Sequence, residues 1–124
     1  TLMAGNWPPN RGSVATQKVV LGPGTRIDRF GGYFDDQGIY KDGGSFVSPE
    51  GVPFTDRALP ASTRNKPYRT YEVLKDLPTE SGQAIPWFGE KGFGTQYELP
   101  MSIDDLVKEG YLKPTTSNFD PSKL

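Results

Sequence analysis

Ile85-Pro86-Trp87-Phe88-Gly89-Glu90-Lys91-Gly92-Phe93-Gly94-Thr95-Gln96-Tyr97-Glu98-Leu99-Pro100 joins a rigid apolar corner to a short strand through a loose middle. Pro86, Trp87 and Phe88 form an apolar wedge, with φ fixed at the proline. Thr95, Tyr97 and Leu99 alternate with Gln96 and Glu98, which is the period of a strand. Between the two halves, Gly89, Gly92 and Gly94 allow positive φ or close passage of backbone. Gln96 stands where loop becomes strand, a neutral amide at the edge of that opening. Two readings follow: a strand preceded by a glycine-rich turn, or an opening for a flat, polar, ring-bearing ligand such as a nucleotide.

Outward from this stretch, turns and short strands dominate. Residues 68–74 (Tyr-Arg-Thr-Tyr-Glu-Val-Leu) carry the densest aromatic and β-branched pattern and predict the best strand. Leu77-Pro78 and Ser81-Gly82-Gln83 predict a turn. Residues 17–21 and 25–30 predict strands flanking Gly22-Pro23-Gly24, and residues 45–47 another. Residues 33–44, with Asp35, Asp36 and Asp42, predict an exposed hairpin or loop. Residues 52–60 predict one helical turn ended by Pro60, and residues 61–66 a polar loop. The one predicted α-helix is 103–109, with Ser102 as N-cap, Asp104 and Asp105 in the first turn and Gly110 past the end. Residues 111–113 predict a final strand, after which 114–124 trail off. The fold class is α+β: a compact, strand-dominated domain of short strands, few helices and many loops.

Composition bounds the chemistry. The 124 residues suit one domain with a modest core, and the chain's start at Thr1 suggests a portion of something longer. Fifteen glycines and 12 prolines against 34% apolar residues favour turns over a helical bundle. Lysine and arginine (14) nearly balance aspartate and glutamate (15). No polybasic run marks nucleic-acid binding, and no stretch predicts membrane insertion. There is no cysteine and no histidine. Thiolate chemistry, histidine-based triads, histidine zinc sites and the usual near-neutral acid–base group are therefore excluded. Carboxylates, guanidinium groups, hydroxyls, amides or a bound metal remain.

Three arginines draw attention. Arg29 sits at a strand end beside Phe30, Gly31 and Gly32, placed either to grip a pyrophosphate or to pair with Asp28 or another acid. Arg57 lies in a turn bounded by Pro53, Phe54 and Pro60, and either reaches into a site or pins that turn through backbone carbonyls. Arg69 lies on the 68–74 strand and is more often solvated. Asp35-Asp36-Gln37-Gly38 lacks the spacing of a calcium loop, and no phosphate-binding glycine motif is present, so no metal site is expected.

Taken in order, several motifs resemble the TNT (tuberculosis necrotizing toxin) domain family over about residues 27–112. They are Arg29-Phe30-Gly31, Ser48-Pro49-Glu50-Gly51 with Pro53-Phe54 and Arg57-Ala58-Leu59-Pro60, Tyr71 with Val73, Pro86-Trp87-Phe88-Gly89, Gly92 with Gly94-Thr95-Gln96-Tyr97, and Gly110-Tyr111-Leu112. The resemblance implies a β-rich core related to ADP-ribosylating toxin folds and hydrolysis of NAD⁺, and often NADP⁺, to nicotinamide and ADP-ribose or its phosphate. It divides the chain into a lead-in and first strand (1–24), a catalytic domain (25–114) and a tail (115–124). It carries the family's functional glutamine onto Gln96 and its motif arginines onto Arg29 and Arg57. Phe30, Gly31, Arg69, Phe93, Gly94, Thr95 and Trp87 become candidate substrate contacts.

Two positions depart from the family pattern. Where some relatives carry a functional histidine, the closest position here is Arg69, and Phe93 replaces a frequent third glycine. The dinucleotide is expected as substrate, with no separate cofactor. A cognate immunity protein is the expected partner, and the expected location is secreted, acting in the cytosol of a target cell. Gln96-Tyr97-Glu98 also keeps open an ADP-ribosyltransferase, and a non-catalytic nucleotide- or protein-binding module is the third reading.

Overall fold

Antiparallel pairing organises the chain in the computed structural model, which describes residues 8–124; the lead-in expectation for residues 1–7, Trp7 included, lies outside them. Among the described residues the strands are β1 (Ser13–Leu21), β2 (Arg26–Phe30), β3 (Tyr33–Phe34), β4 (Tyr40–Lys41), β5 (Phe46–Pro49), β6 (Tyr68–Val73), β7 (Leu77–Ala84), β8 (Thr95–Glu98) and β9 (Leu112–Thr115), and helix α1 (Ile103–Lys108) lies between the last two. Seven strands form a single sheet in the order β1-β7-β8-β5-β2-β6-β9, and β3-β4 is a separate hairpin. Short 3₁₀ turns occupy Asn10–Gly12, Phe54–Arg57 and Ala61–Asn65.

The period of two along β2 decides which residue serves the core and which the site. Ile27 pairs with Tyr71, and Val73 with Leu112. All four belong to one buried cluster with Leu106 and Ile103 of α1. Asp28, one residue on, faces the other way toward Thr70 and the Phe54–Arg57 turn. The helix starts where Ser102 Oγ accepts from the Asp105 N–H at 3.1 Å, and Gly110 follows it at φ 80°. This matches the sequence expectation for both ends.

Three expectations are corrected. Residues 77–84 are not a turn but an eight-residue strand, β7, held between β1 and β8. Pro78 and Gly82 read as breakers in isolation, yet pairing on both sides overrides that local preference. Residues 33–44 do form a hairpin, but Asp42 at its end is 1% exposed rather than solvated. Nor do residues beyond β9 trail off. Glu50 takes the Ser117 hydroxyl at 3.3 Å and the Asn118 N–H at 2.9 Å while paired with Arg26. Leu124 O accepts from the Phe54 N–H at 2.8 Å.

The Glu50 carboxyl is held below its ordinary value, first by the Arg26 guanidinium hydrogen bond, against the opposing effect of burial, and then by the Asn118 N–H. A carboxyl lowered in the folded state contributes stability that is present above its unfolded value and lost as pH falls. The urea midpoint is therefore expected to drop on acidification from about pH 5 to about pH 3 by more in the wild type than in Glu50→Gln. Parallel curves for the two proteins would show that this carboxylate does not hold the tail.

Candidate active site

Gln96 sits on β8 beside β5, and β2 lies on the far side of β5, so strand order brings Gln96, Arg29 and the Arg57 turn to one end of the sheet. There they line a single cleft of about 400 Å³, with Phe46, Leu59 and Phe88 supplying apolar wall. A smaller recess of about 40 Å³ behind it adds Asp28 and Phe30.

The glutamine's amide nitrogen is spoken for. Nε2 donates to Gly12 O at 3.0 Å and to Ser13 Oγ at 2.8 Å. Oε1 accepts no hydrogen bond from any described residue, so the carbonyl end of the amide is the end left to address a ligand. Sequence reasoning missed Gly12 and Ser13, since 83 and 84 residues separate them from Gln96.

Both arginines are held by aspartates. Arg57 is 6% exposed and ion-paired with Asp28: Nη2 donates to Oδ2 at 2.9 Å, and Nη1 lies 2.6 Å from Oδ1, a buried oxygen that accepts no hydrogen bond from the described residues. Its Nε and Nη2 also donate to Val52 O, which fixes the turn. The Phe30 ring lies 5.0 Å from this guanidinium, packed against Phe54 and Tyr68. Arg29 pairs with Asp42 through Nε at 2.7 Å and Nη2 at 3.1 Å, and donates to Phe46 O at 3.0 Å. Arg29's acid is thus not its neighbour Asp28, whose side chain emerges on the opposite face of β2.

Close packing holds Arg29 further. A Cβ at Gly31 would lie 2.6 Å from its guanidinium, and one at Gly44 would overlap it. Asp42 in turn receives the Gly44 N–H, its own N–H is bound by Asp104 of α1, and the Tyr40 hydroxyl shares its one proton between Gly31 O at 2.8 Å and Asp42 at 3.1 Å. Burial pushes the Tyr40 phenol up, with Tyr71 and Asp42 adding to it. The Tyr68 phenol, which donates to Asp28 at 2.6 Å, is raised by burial and then by that bond. Both phenols stay protonated donors to the carboxylates that hold the arginines.

The remaining candidates scatter. Arg69 is paired across strands with Arg29 but lays its guanidinium 4.1 Å over the Tyr40 ring, outside the cleft lining. Thr95 lines a groove between β1 and β7, and Phe93 is 55% exposed elsewhere. Phe88, not Trp87, lines the cleft. Gly92 and Gly94 allow backbone to pass close to other backbone rather than to the cleft: a Cβ at either would meet protein atoms at 2.8 Å. Their N–H groups bind Thr55 O and Asp56 O, so the loop braces the turn that carries Arg57. Among the described residues, no group of three or more metal-ligating side chains is placed to hold a metal, and no helix is long and apolar enough to cross a membrane.

The fold, with its seven-stranded antiparallel sheet, is shared with solved proteins. The solved tuberculosis necrotizing toxin, complexed with its immunity factor IFT, matches with a TM-score of 0.67 at 21% identity over 87% of this chain and 60% of that one. Tse6 in complex with Tsi6, and Rhs1-CT in complex with its cognate immunity protein RhsI1, each match with a TM-score of 0.55, at 13% and 20% identity. Each covers 93% of this chain and 88% of that one. At these identities the likeness is one of fold.

The family model described as tuberculosis necrotizing toxin (TNT) matches residues 20–115, and the chain belongs to that family. The conidial surface nicotinamide adenine dinucleotide glycohydrolase nadA of Aspergillus fumigatus is 31% identical over 102 residues, which is 77% of this chain. The chain spans 40% of that relative's length.

Removing one member of a buried ion pair strands the other, which typically costs about 3–5 kcal/mol. Asp28→Asn is expected to lose about that much in urea unfolding, and Asp42→Asn less. The difference arises because the Arg29 side chain is 20% exposed and can recruit water, while that of Arg57 is 4% exposed.

Proposed function

We propose that this chain is a toxin domain that hydrolyses the bond between nicotinamide and ribose in NAD⁺, and in NADP⁺, releasing nicotinamide and ADP-ribose or its phosphate. The observation that carries the reading is the Gln96 amide, tied down at its nitrogen and with no hydrogen bond to its oxygen among the described residues, at an arginine-lined cleft in a chain of this family. The named activity of the Aspergillus relative supports the same reaction.

The chemistry suits these residues. The nicotinamide nitrogen is already cationic, so the C1′–N bond breaks with its electron pair returning to the ring, and the leaving group departs neutral without a general acid. Positive charge then develops on the ribose as an oxocarbenium-like centre. A carbonyl dipole held in place before reaction stabilises such charge without reorganising. Gln96 Oε1 is that dipole, and it also accepts a hydrogen bond from a ribose hydroxyl or from the attacking water. Water oxygen bonds to C1′ and its proton passes to solvent.

Arg29 spends three of its five N–H donors on protein and retains the others for ligand oxygen. Arg57 is nearly fully committed, so its part is to hold the cleft floor and the Phe30 ring in place. Phe88 offers the apolar surface for a planar ring.

A transferase would need an acid beside Gln96 to orient an acceptor. Glu98 lines the neighbouring groove and not the cleft, which favours water as the acceptor. On the same reading the domain acts after secretion, in the cytosol of a target cell, drains its NAD pool, and is restrained in its producer by an immunity protein.

Incubation of the folded domain with NAD⁺ is expected to release nicotinamide and free ADP-ribose. Gln96→Ala should lower kcat by roughly 10²–10³-fold, the loss typical of one pre-oriented dipole. Its melting temperature should shift by only a few degrees. Full activity in Gln96→Ala, or ADP-ribose found attached to protein, would contradict the assignment.

A further inference from the structure

We propose that Arg11, at the mouth of the cleft, binds a phosphate group of the dinucleotide; this rests on the reading of the cleft as a dinucleotide site. Among the described residues, three arginines line the cleft and no carboxylate does. Two of them, Arg29 and Arg57, are each clamped by an aspartate of at most 1% exposure. Their charge is largely spent on the fold. Arg11 is different. Its side chain is 56% exposed, and among the described residues its only partner is Glu98, through a single contact of its Nε. Surface pairs of this kind contribute little net stability and exchange readily for a better anion. A phosphate takes two guanidinium N–H groups side by side, which the single Nε contact leaves available.

The backbone supports the same conclusion. Asn10, Arg11 and Gly12 are all left-handed, at φ 50°, 51° and 81°. Glycine adopts this freely and asparagine tolerates it, but arginine does so at a cost. The turn is pinned all the same. Asn10 Nδ2 donates to Ser13 O at 2.8 Å, and the Gly12 N–H to Pro9 O at 2.9 Å. Its carbonyl at Gly12 and the hydroxyl of Ser13 are the two acceptors that hold Gln96. One strained turn therefore orients the amide inside the cleft and presents Arg11 at its rim, and strain held in this way gathers at functional positions.

Size points the same way. Sites for drug-sized ligands run from roughly 300 to 1,000 Å³, and this cleft of about 400 Å³ is at the small end. A whole dinucleotide is too large for it, so part of the ligand must cross the rim. Arg11 lines both this cleft and the larger groove of about 540 Å³ beside it, so it stands on the ridge between them.

The test compares wild type with Arg11→Gln in nicotinamide release from NAD⁺ and from NADP⁺, and in calorimetric binding of ADP-ribose. The variant is expected to raise KM roughly tenfold to a hundredfold, the range of a hydrogen bond to a charged group, with kcat little changed. Loss with both substrates, with weaker ADP-ribose binding, assigns the contact to the pyrophosphate. Loss with NADP⁺ alone assigns it to the 2′-phosphate. Equal KM for both substrates and equal ADP-ribose affinity in the two proteins overturn the proposal, as does a wild type that binds no ADP-ribose. A wild type that binds ADP-ribose but releases no nicotinamide defeats the hydrolase reading instead, and the Arg11 comparison is then decided by the calorimetry.

Discussion

The ion pair between Asp28 and Arg57 is the interaction on which the site depends. Both groups are out of water, so each is tolerable only because the other is present, and the desolvation of the pair must be offset by good geometry and further hydrogen bonds. The structure supplies these through Val52 O, the Tyr68 hydroxyl and the Gly51 N–H, which donates to Asp28 Oδ2 at 2.9 Å. A buried pair of this kind fixes one arrangement. It ties strand β2 to the Phe54–Arg57 turn, which in turn binds the glycine-rich loop at Thr55 O and Asp56 O and the tail through Phe54. Three segments distant in sequence thus meet at one short turn. Arg29 and Asp42 do the corresponding work on the other face of β2, linking the hairpin to the start of α1 through Asp104.

Under the proposed function, this division of labour is how a chain without histidine or cysteine would act on its substrate. Arg29 and Arg57 are charge-paired in place, and the N–H donors left on Arg29 serve only to bind, so the group proposed to act on the scissile bond is a neutral amide. Such a group suits a bond whose departing half already carries positive charge. It would serve poorly for amide or ester cleavage, where a proton must be delivered to the leaving group. The same economy places Arg11 apart from the other two arginines: it is the cation whose partner is at the surface.

Much of the fold was legible in the sequence because local signals and tertiary pairing agree there. The Ser102 cap, the Gly110 stop and the aromatic strand 68–73 all follow from short-range chemistry. Residues 77–84 were misread because Pro78 and Gly82 argue against a strand locally, and what makes them one is two neighbouring strands that no local window contains. The site was legible in its parts but not in its assembly. Gln96, Arg29 and Arg57 stand out as polar residues in apolar or glycine-rich settings, and they do share a cleft. Their partners did not stand out. Asp42 looks like any loop acid until its neighbour Gly44 is seen to make room for a guanidinium, and Gly12 and Ser13 lie more than 80 residues from the amide they hold. Phe88 and Trp87 are adjacent in an apolar wedge, and periodicity could not say which would face the cleft.

The dependence of kcat/KM for NAD⁺ on pH tests the central claim most directly, since a fixed amide dipole has no proton to gain or lose where histidine would titrate, between about pH 5 and 8. A profile flat across that interval, in a folded protein, is the expected result. A bell or a step centred near neutrality would mean that an ionising group performs the reaction, and would contradict the assignment of that work to Gln96.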